Sequence, residues 1–460
     1  MQRIATSLLV GAAFTVAVIA GPSGATDVTG TCITPSLTGA APQGQVCISP
    51  KEPYAEDYTN AKTVTDKQLA VYNWAWNTFI SLNWPASEKR GEPDAAKTVN
   101  GPGSRVWETY KTTAETFTPP PQRPTPWDTP SVSAPPAGCP APAAGVTPVT
   151  LFRGNKTDDP ALSAVVQPMS GKFGHLIDQN NNYVYIDVMT NKQSYNFVYY
   201  NEYYDANVQA KATQAQMNFP SGDNANATPA AIYVKPSWKI MAGADDPTKF
   251  YTRQAYVINP TTNVCTIQTV GLVGFHITAK TVTSPQWVWT TFEHKNNAPD
   301  CGYPNGEARG CKPLVQPKTQ YNFYNPLCTT NCELNKLPTA ETMTTPVQVA
   351  RIIPISDAIK QYNAQIQGLL KGTVWENYFM VDSQFPVTPT QSIYGNPLPV
   401  SLANTTLETY SQGTSPQTQT SSCLGCHLPA PTTATPIGSV FADFDWQLQK
   451  AQPFPPSPKK

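Results

Sequence analysis

The sequence predicts an α+β, β-rich fold, a large antiparallel sheet body with peripheral helices and a chemically distinct C-terminal segment. Three observations lead there. Short β-branched and aromatic runs alternate with turn residues between 151 and 300. Helical periodicity is confined to a few stretches outside that region. Charged residues make up only 13% of the 460, and prolines number 47, a composition of long polar loops rather than helical layers.

Taken in order, residues 1–25 combine Arg3, an apolar run from Ile4 to Ala20, Pro22 and the small residues Ser23 and Ala25. This pattern reads as a secretory signal with a mature start near Thr26 and no membrane span after cleavage. The remainder, 26–460, reads as one compact unit in three regions: 26–150 helical with Pro-rich loops, the β-rich body at 151–300, and 301–460 with a cysteine cluster, a helix and the C-terminal segment. In the first region, "TDKQLAVYNWAWNTFISL" over 65–82 places Leu69, Tyr72, Trp76, Phe79 and Ile80 on one helical face. Thr65 and Gln68 suit a capping box, and Pro85 closes the segment. Prolines crowd 118–150, an extended loop that Cys139 could tie down.

In the second region "YVYIDV", "NK" and "SYNFVYY" predict a hairpin, and "AAIYVKPSW", "RQAYVIN", "CTIQTVGLVGFHITA" and "QWVWTTFEH" predict further strands. The tyrosines in them suit cross-strand packing. In the third region the spacing predicts a helix over 356–371, with Ile359, Tyr362, Ile366 and Leu369 on one face and Gly372 at its end. A last short helix is predicted over 439–450, with Phe441, Phe444 and Leu448 on one side.

The charge balance, 31 Lys and Arg against 31 Asp and Glu, leaves no basic stretch except the terminal "PKK" and argues against a nucleic-acid partner. Eight of the ten cysteines, Cys32, Cys47, Cys139, Cys265, Cys301, Cys311, Cys328 and Cys332, are an even set suited to four disulfides in an oxidising compartment, periplasmic or secreted. Cys32 with Cys47 makes a local loop, and the last four suit pairing among themselves, with a four-thiolate zinc site as the alternative.

The other two cysteines lie in "SSCLGCHLPAP", residues 421–431. The spacing admits a disulfide, a redox dithiol, half a zinc site or a covalently attached haem. A redox dithiol needs a thioredoxin-like βαβ setting, which the surrounding pattern lacks. Zinc needs two more ligands, and neither Cys nor His follows His427. Haem attachment uses every residue: Cys423 and Cys426 bond the porphyrin vinyl groups, and His427 reaches the iron from the same side as its proximal ligand. With ten cysteines and four histidines in 460 residues, chance yields roughly 0.002 such patterns.

Through 421–428 the chain resembles the c-type cytochromes. It departs from their small soluble members in carrying the motif near the end, with no methionine after Met380. More broadly, "WNTFISLNWPA", "WVWTTFEHKNNAP" and "LANTTLETYSQ" before "SSCLGCH" resemble a group of exported bacterial mono-haem proteins. That resemblance implies one covalently bound haem c and an exported location, and no particular reaction.

Only His175, His276 and His294 lie outside the motif, too few for a chain of haems. His294 shares a strand face with Phe292 and Val288 and is the first candidate for the sixth iron ligand. His276, beside Gly271 and Gly274 that allow a flat group near the backbone, is second; His175 and Met241 follow, and an open sixth position is the alternative. The functional expectation is single-electron transfer with a redox partner protein or small molecule. The alternatives are a haem enzyme of peroxidase or oxidase type and a haem-based ligand-binding protein.

Overall fold

The computed structural model describes residues 29–455 apart from 132–134, 152–173, 244, 260–261, 303–310, 340–341, 343–344, 413–420, 435 and 437. The signal-like residues 1–25 and the terminal "PKK" lie outside the described residues.

A ten-stranded sheet forms the body, antiparallel except for one parallel pair. In chain order its strands are β1 (Lys111–Thr112), β2 (Val149–Leu151), β3 (Tyr185–Ile186), β4 (Met189–Thr190), β5 (Ala231–Ile240), β6 (Thr252–Ile258), β7 (Cys265–Lys280), β8 (Val288–His294), β9 (Tyr378–Pro386) and β10 (Pro397–Leu398). The order across the sheet is β10-β9-β8-β7-β5-β4-β1, with β6 also on β7, β2 on β6 and β3 on β5. The sixteen-residue β7 is long enough to pair with three neighbours, so the sheet is built around it. This is the α+β, β-rich architecture that the patterning predicts.

Alternation along β7 and β8 gives the sheet two buried faces. One carries Phe275, Ile277, Val288 and Phe292 and packs under α1 (Val64–Leu82). There Phe79 stacks on Phe292 at 4.2 Å, and Trp76 meets the same ring edge-on at 5.0 Å. The helix α3 (Asp357–Leu369) lies beside α1, where Tyr362 donates to Asn73 Oδ1 at 2.9 Å and Asn363 receives the Trp76 indole N–H at 3.3 Å. Both helices fall where the periodicity places them. The cap of α1, however, is Thr63 with Asp66 rather than Thr65 with Gln68. Asp66 also accepts from the backbone of Ala41 at 2.8 Å and Lys62 at 3.0 Å, so its short carboxylate joins the loop to the helix start.

Two further expectations are corrected. "SYNFVYY" is not the second strand of a hairpin but part of α2 (Lys192–Tyr200). The Asn191 side chain caps it at Ser194 N (3.1 Å) and also holds Ile232 N (3.0 Å) and Ala230 O (2.8 Å). These bonds start a helix at the sheet, and its buried Tyr195 and Val198 suit a helical face as well as a strand. The helix over 439–450 shrinks to a single 3-10 turn, Trp446–Lys450, because Asp443 and Phe444 adopt left-handed backbone. Strand β9 is an element the sequence reading leaves unassigned.

The eight cysteines form four disulfides: Cys32–Cys47, Cys139–Cys265, Cys301–Cys311 and Cys328–Cys332. The second ties the Pro-rich loop to β7, and the last two overturn the four-thiolate alternative. Among the described residues no helix is long and apolar enough to cross a membrane.

Phe79 touches Phe275, Phe292, Trp375 and Tyr378, so Phe79→Ala should open a cavity and cost about 3–5 kcal/mol. Chemical denaturation followed by tryptophan fluorescence measures the loss, and a change below about 1 kcal/mol would contradict this packing.

Candidate functional site

The second face of the sheet carries Tyr233, Ser237, Gly274, His276, Thr291 and Glu293, together with Trp289, and is covered largely by the C-terminal chain, with Val198 of α2 in the same apolar cluster as Trp289. Residues 402–409 run along it through polar contacts. Asn404 Nδ2 donates to Thr291 Oγ1 at 2.7 Å, Thr405 N to Glu293 at 2.6 Å, and the Thr406 and Ser237 hydroxyls pair at 2.6 Å. A Cβ added to Gly274 would lie 2.2 Å from Thr406 Oγ1, so this glycine is what lets the segment approach the sheet.

The segment then reaches α4 (Cys423–His427), a single turn. Ser422 caps it, accepting from Gly425 N at 3.1 Å. Gln384 of β9, fully buried, accepts from Leu424 N at 2.8 Å and so anchors the turn to the sheet. A turn of this kind puts Cys423 and Cys426, three apart, on one side, with His427 one turn after Cys423. Both cysteines stand outside the four disulfides and are partly buried, while Leu424 between them is fully buried.

His427 is held on two sides. Its ring packs on Trp289 with centroids 4.3 Å apart, and Nδ1 lies 2.8 Å from the Phe444 carbonyl. A carbonyl oxygen only accepts, so the proton sits on Nδ1 and the lone pair on Nε2, the tautomer of a metal-binding imidazole. The Trp446 indole N–H donates to Cys426 O at 3.1 Å, closing "DFDW" (443–446) over the turn. Burial pushes the Asp445 carboxyl up to about 6, opposed by bonds from Gln447 N and the Tyr233 hydroxyl. None of "DFDW" is visible as a site in the sequence, because the contact to His427 is made by the Phe444 carbonyl, a group every residue carries.

The remaining candidates are not gathered at the motif. His294 lies five residues along β8 from Trp289, roughly 17 Å at strand rise. Its Nε2 donates to Lys249 O at 3.0 Å, its Nδ1 accepts from Asn296 N at 3.2 Å, and its ring stacks on Phe250 at 4.0 Å. Every requirement of a core histidine is met there. Met241 belongs to the same end, filling the space at Gly271 beside Phe250. His175 sits against Tyr183 at 5.0 Å in a separate apolar cluster. His276 differs: it lies opposite Thr291, two residues from Thr278, which is opposite Trp289, and so shares the sheet face that carries His427. Its Nε2 is 3.2 Å from the Glu408 carboxylate. The flat group anticipated at Gly271 and Gly274 has no room, since Met241 and Thr406 occupy that space.

Among the described residues no group of three or more His, Cys, Asp or Glu is arranged to hold a metal ion, so the zinc alternative finds no ligand set among them. A cavity of about 690 Å³ opens elsewhere, beside Trp74 and Gln43. The amides of Asn73, Asn77 and Asn224 in its wall are spent on the backbone of Gln43, Gln45 and Ala55. Comparison with protein-family models, curated proteins and solved structures finds no match to the chain.

Burial pushes the His294 imidazole down to about 3, with the Lys249 carbonyl pulling the other way and the charges of Lys295, Lys239 and Lys249 adding to the fall. The unfolded ring titrates near about 6.5. With the folded value depressed, the unfolded chain takes the proton first, so this contribution to stability is present above about 6.5 and is lost as pH falls toward 3. A histidine NMR titration should find the His294 ring flat down to about pH 4, and His294→Gln should make the acid loss of stability less steep. A His294 signal that titrates near about 6.5 would contradict the burial.

Proposed function

We propose that this protein is an exported mono-haem c-type cytochrome, periplasmic or secreted, that transfers single electrons. The observation that carries the reading is the His427 Nδ1 bond to the Phe444 carbonyl beside two cysteines on one helical turn. It leaves the imidazole with the tautomer and orientation that an iron ligand needs, and the donor set of two thiols and one imidazole suits haem c. Cys423 and Cys426 would hold the group as thioethers and His427 would bind its iron through Nε2. So bound, a haem supplies one-electron chemistry between ferric and ferrous states.

The chain's own residues have definite tasks around it. Trp289, Leu424 and Phe444 exclude water from the protein side of His427. Gln384 and Ser422 fix the turn that carries the thiols. Partial exposure of Cys423, Cys426 and His427 keeps the site close to the surface, where a redox partner protein or small molecule can exchange electrons. His276 is the histidine best placed for the sixth position, because it lies on the shared sheet face two residues from the strand position opposite Trp289.

The pair of His276 and Glu408 supports a second reading. A histidine held by a carboxylate can also move a proton to a small molecule, as a peroxidase-type or ligand-binding site with an open sixth position requires.

Acid–acetone extraction of the denatured protein should leave the colour on the chain, with a mass increase of one haem, and Cys426→Ala should reduce or abolish attachment. Release of the haem into the solvent would overturn the reading. In ferric spectra, His276→Ala should convert a low-spin site to high-spin. An unchanged spin state with altered peroxide reactivity would favour the second reading, whereas His294→Ala should lower stability and leave the spectrum alone.

A further inference from the structure

We infer that Lys280, which does not touch the Cys423–His427 turn, is a positioning residue for His427, acting through Asp443; the inference rests on the proposed haem site. Lys280 ends β7, is 3% exposed, and donates to the Asp443 carboxylate and to Asn218 Oδ1 at 2.7 Å. Asp443, 1% exposed, also accepts from Phe219 N at 2.8 Å and Gln216 Nε2 at 2.9 Å. The carboxylate is thus bound by three donors, one of them a buried cation.

What this anchoring holds is an unfavourable backbone. Asp443 and Phe444 have φ of +53° and +69° in succession. Aspartate tolerates the left-handed region, but a bulky residue such as Phe444 is strained there. The turn persists because its two ends are fixed, Asp443 by Lys280 and Asp445 by the Tyr233 hydroxyl at 2.7 Å. Its product is the direction of the Phe444 carbonyl, aimed at His427 Nδ1, and the placement of the Phe444 ring beside Trp289 at 6.4 Å. A five-residue helix cannot set the orientation of its last side chain alone, so His427 takes its orientation from this strained turn. Lys280 is the charge that keeps the turn in place.

The consequence is electronic as well as structural. A carbonyl that accepts from Nδ1–H makes the imidazole a stronger donor and favours the ferric state. Losing the anchor lets the turn relax, moves the carbonyl away, and raises the midpoint potential.

Two readouts on the full chain test this. Nitrogen-15 histidine NMR of the haem-free protein reports the His427 tautomer, and potentiometry of the holoprotein reports the midpoint. Lys280→Met should turn a dominant Nδ1–H tautomer into a mixture and shift the midpoint upward, while Lys280→Arg should restore both. Asp443→Asn keeps volume and left-handed preference but removes the charge, so it should give the same shifts to a smaller extent if Lys280→Met fails to fold. Lys239→Met breaks a comparable buried pair with Asp245, at 2.6 Å, and should lower stability without moving either readout. Unchanged tautomer and potential in Lys280→Met or in Asp443→Asn would overturn the inference, and so would equal shifts in Lys239→Met. Absence of haem from the wild-type chain would overturn the haem reading instead, and the tautomer measurement would still decide the role of Lys280.

Discussion

Strand β8 is buried at every position from Val288 to His294, yet four of its seven residues are polar, and the architecture around it follows from satisfying them. Thr290 pairs with the Ser383 hydroxyl of β9 at 2.6 Å, and Thr291 receives Asn404. Glu293 takes Arg351 Nη2 at 2.6 Å together with the backbone and hydroxyl of Thr405. His294 uses both ring nitrogens on backbone. Removing one partner of a buried charge such as Glu293 costs several kcal/mol, on the order of 3–5. Each polar residue on β8 therefore demands particular partners, and on the second face these are Asn404 and Thr405 of the C-terminal chain together with Arg351.

This explains how a segment with so little regular structure can carry a defined site. The described residues of 402–454 contain one helical turn and one 3-10 turn, so helix or sheet ladders do little to position them. They are positioned by side chains of the sheet: Gln384 at the start of α4, Glu293 at Thr405, Tyr233 at Asp445 and Lys280 at Asp443. Packing adds Trp289, whose ring supports both His427 and Phe444. The sheet is the rigid element, and the chemistry is hung on its second face.

The two faces also divide the labour. The α1 and α3 face is aromatic and apolar and accounts for most of the buried hydrophobic cluster. The other face joins a smaller apolar cluster around Trp287, Trp289 and Phe444 to a row of hydrogen-bonded polar groups. Bonds of that kind are directional, so they fix orientation where apolar contacts fix only proximity.

The sequence by itself determined whatever depends on short-range pattern. The helical face of Leu69 to Ile80, the alternation in β5 to β8, the even set of disulfide cysteines and the Cys423–Cys426–His427 spacing are all local, and each is legible without a fold. It failed where a local preference was outvoted: "SYNFVYY" has strand-forming residues but begins at the Asn191 cap, and Phe444 sits on a helical repeat but is turned out of it by Asp443. Tertiary structure alone decided which histidine keeps company with the motif. His294 and His276 both lie on strands with apolar neighbours, and one sits roughly 17 Å of strand from Trp289 while the other shares its face. Register and distance along a sheet are set by pairings between residues far apart in the chain, and no window of sequence contains them.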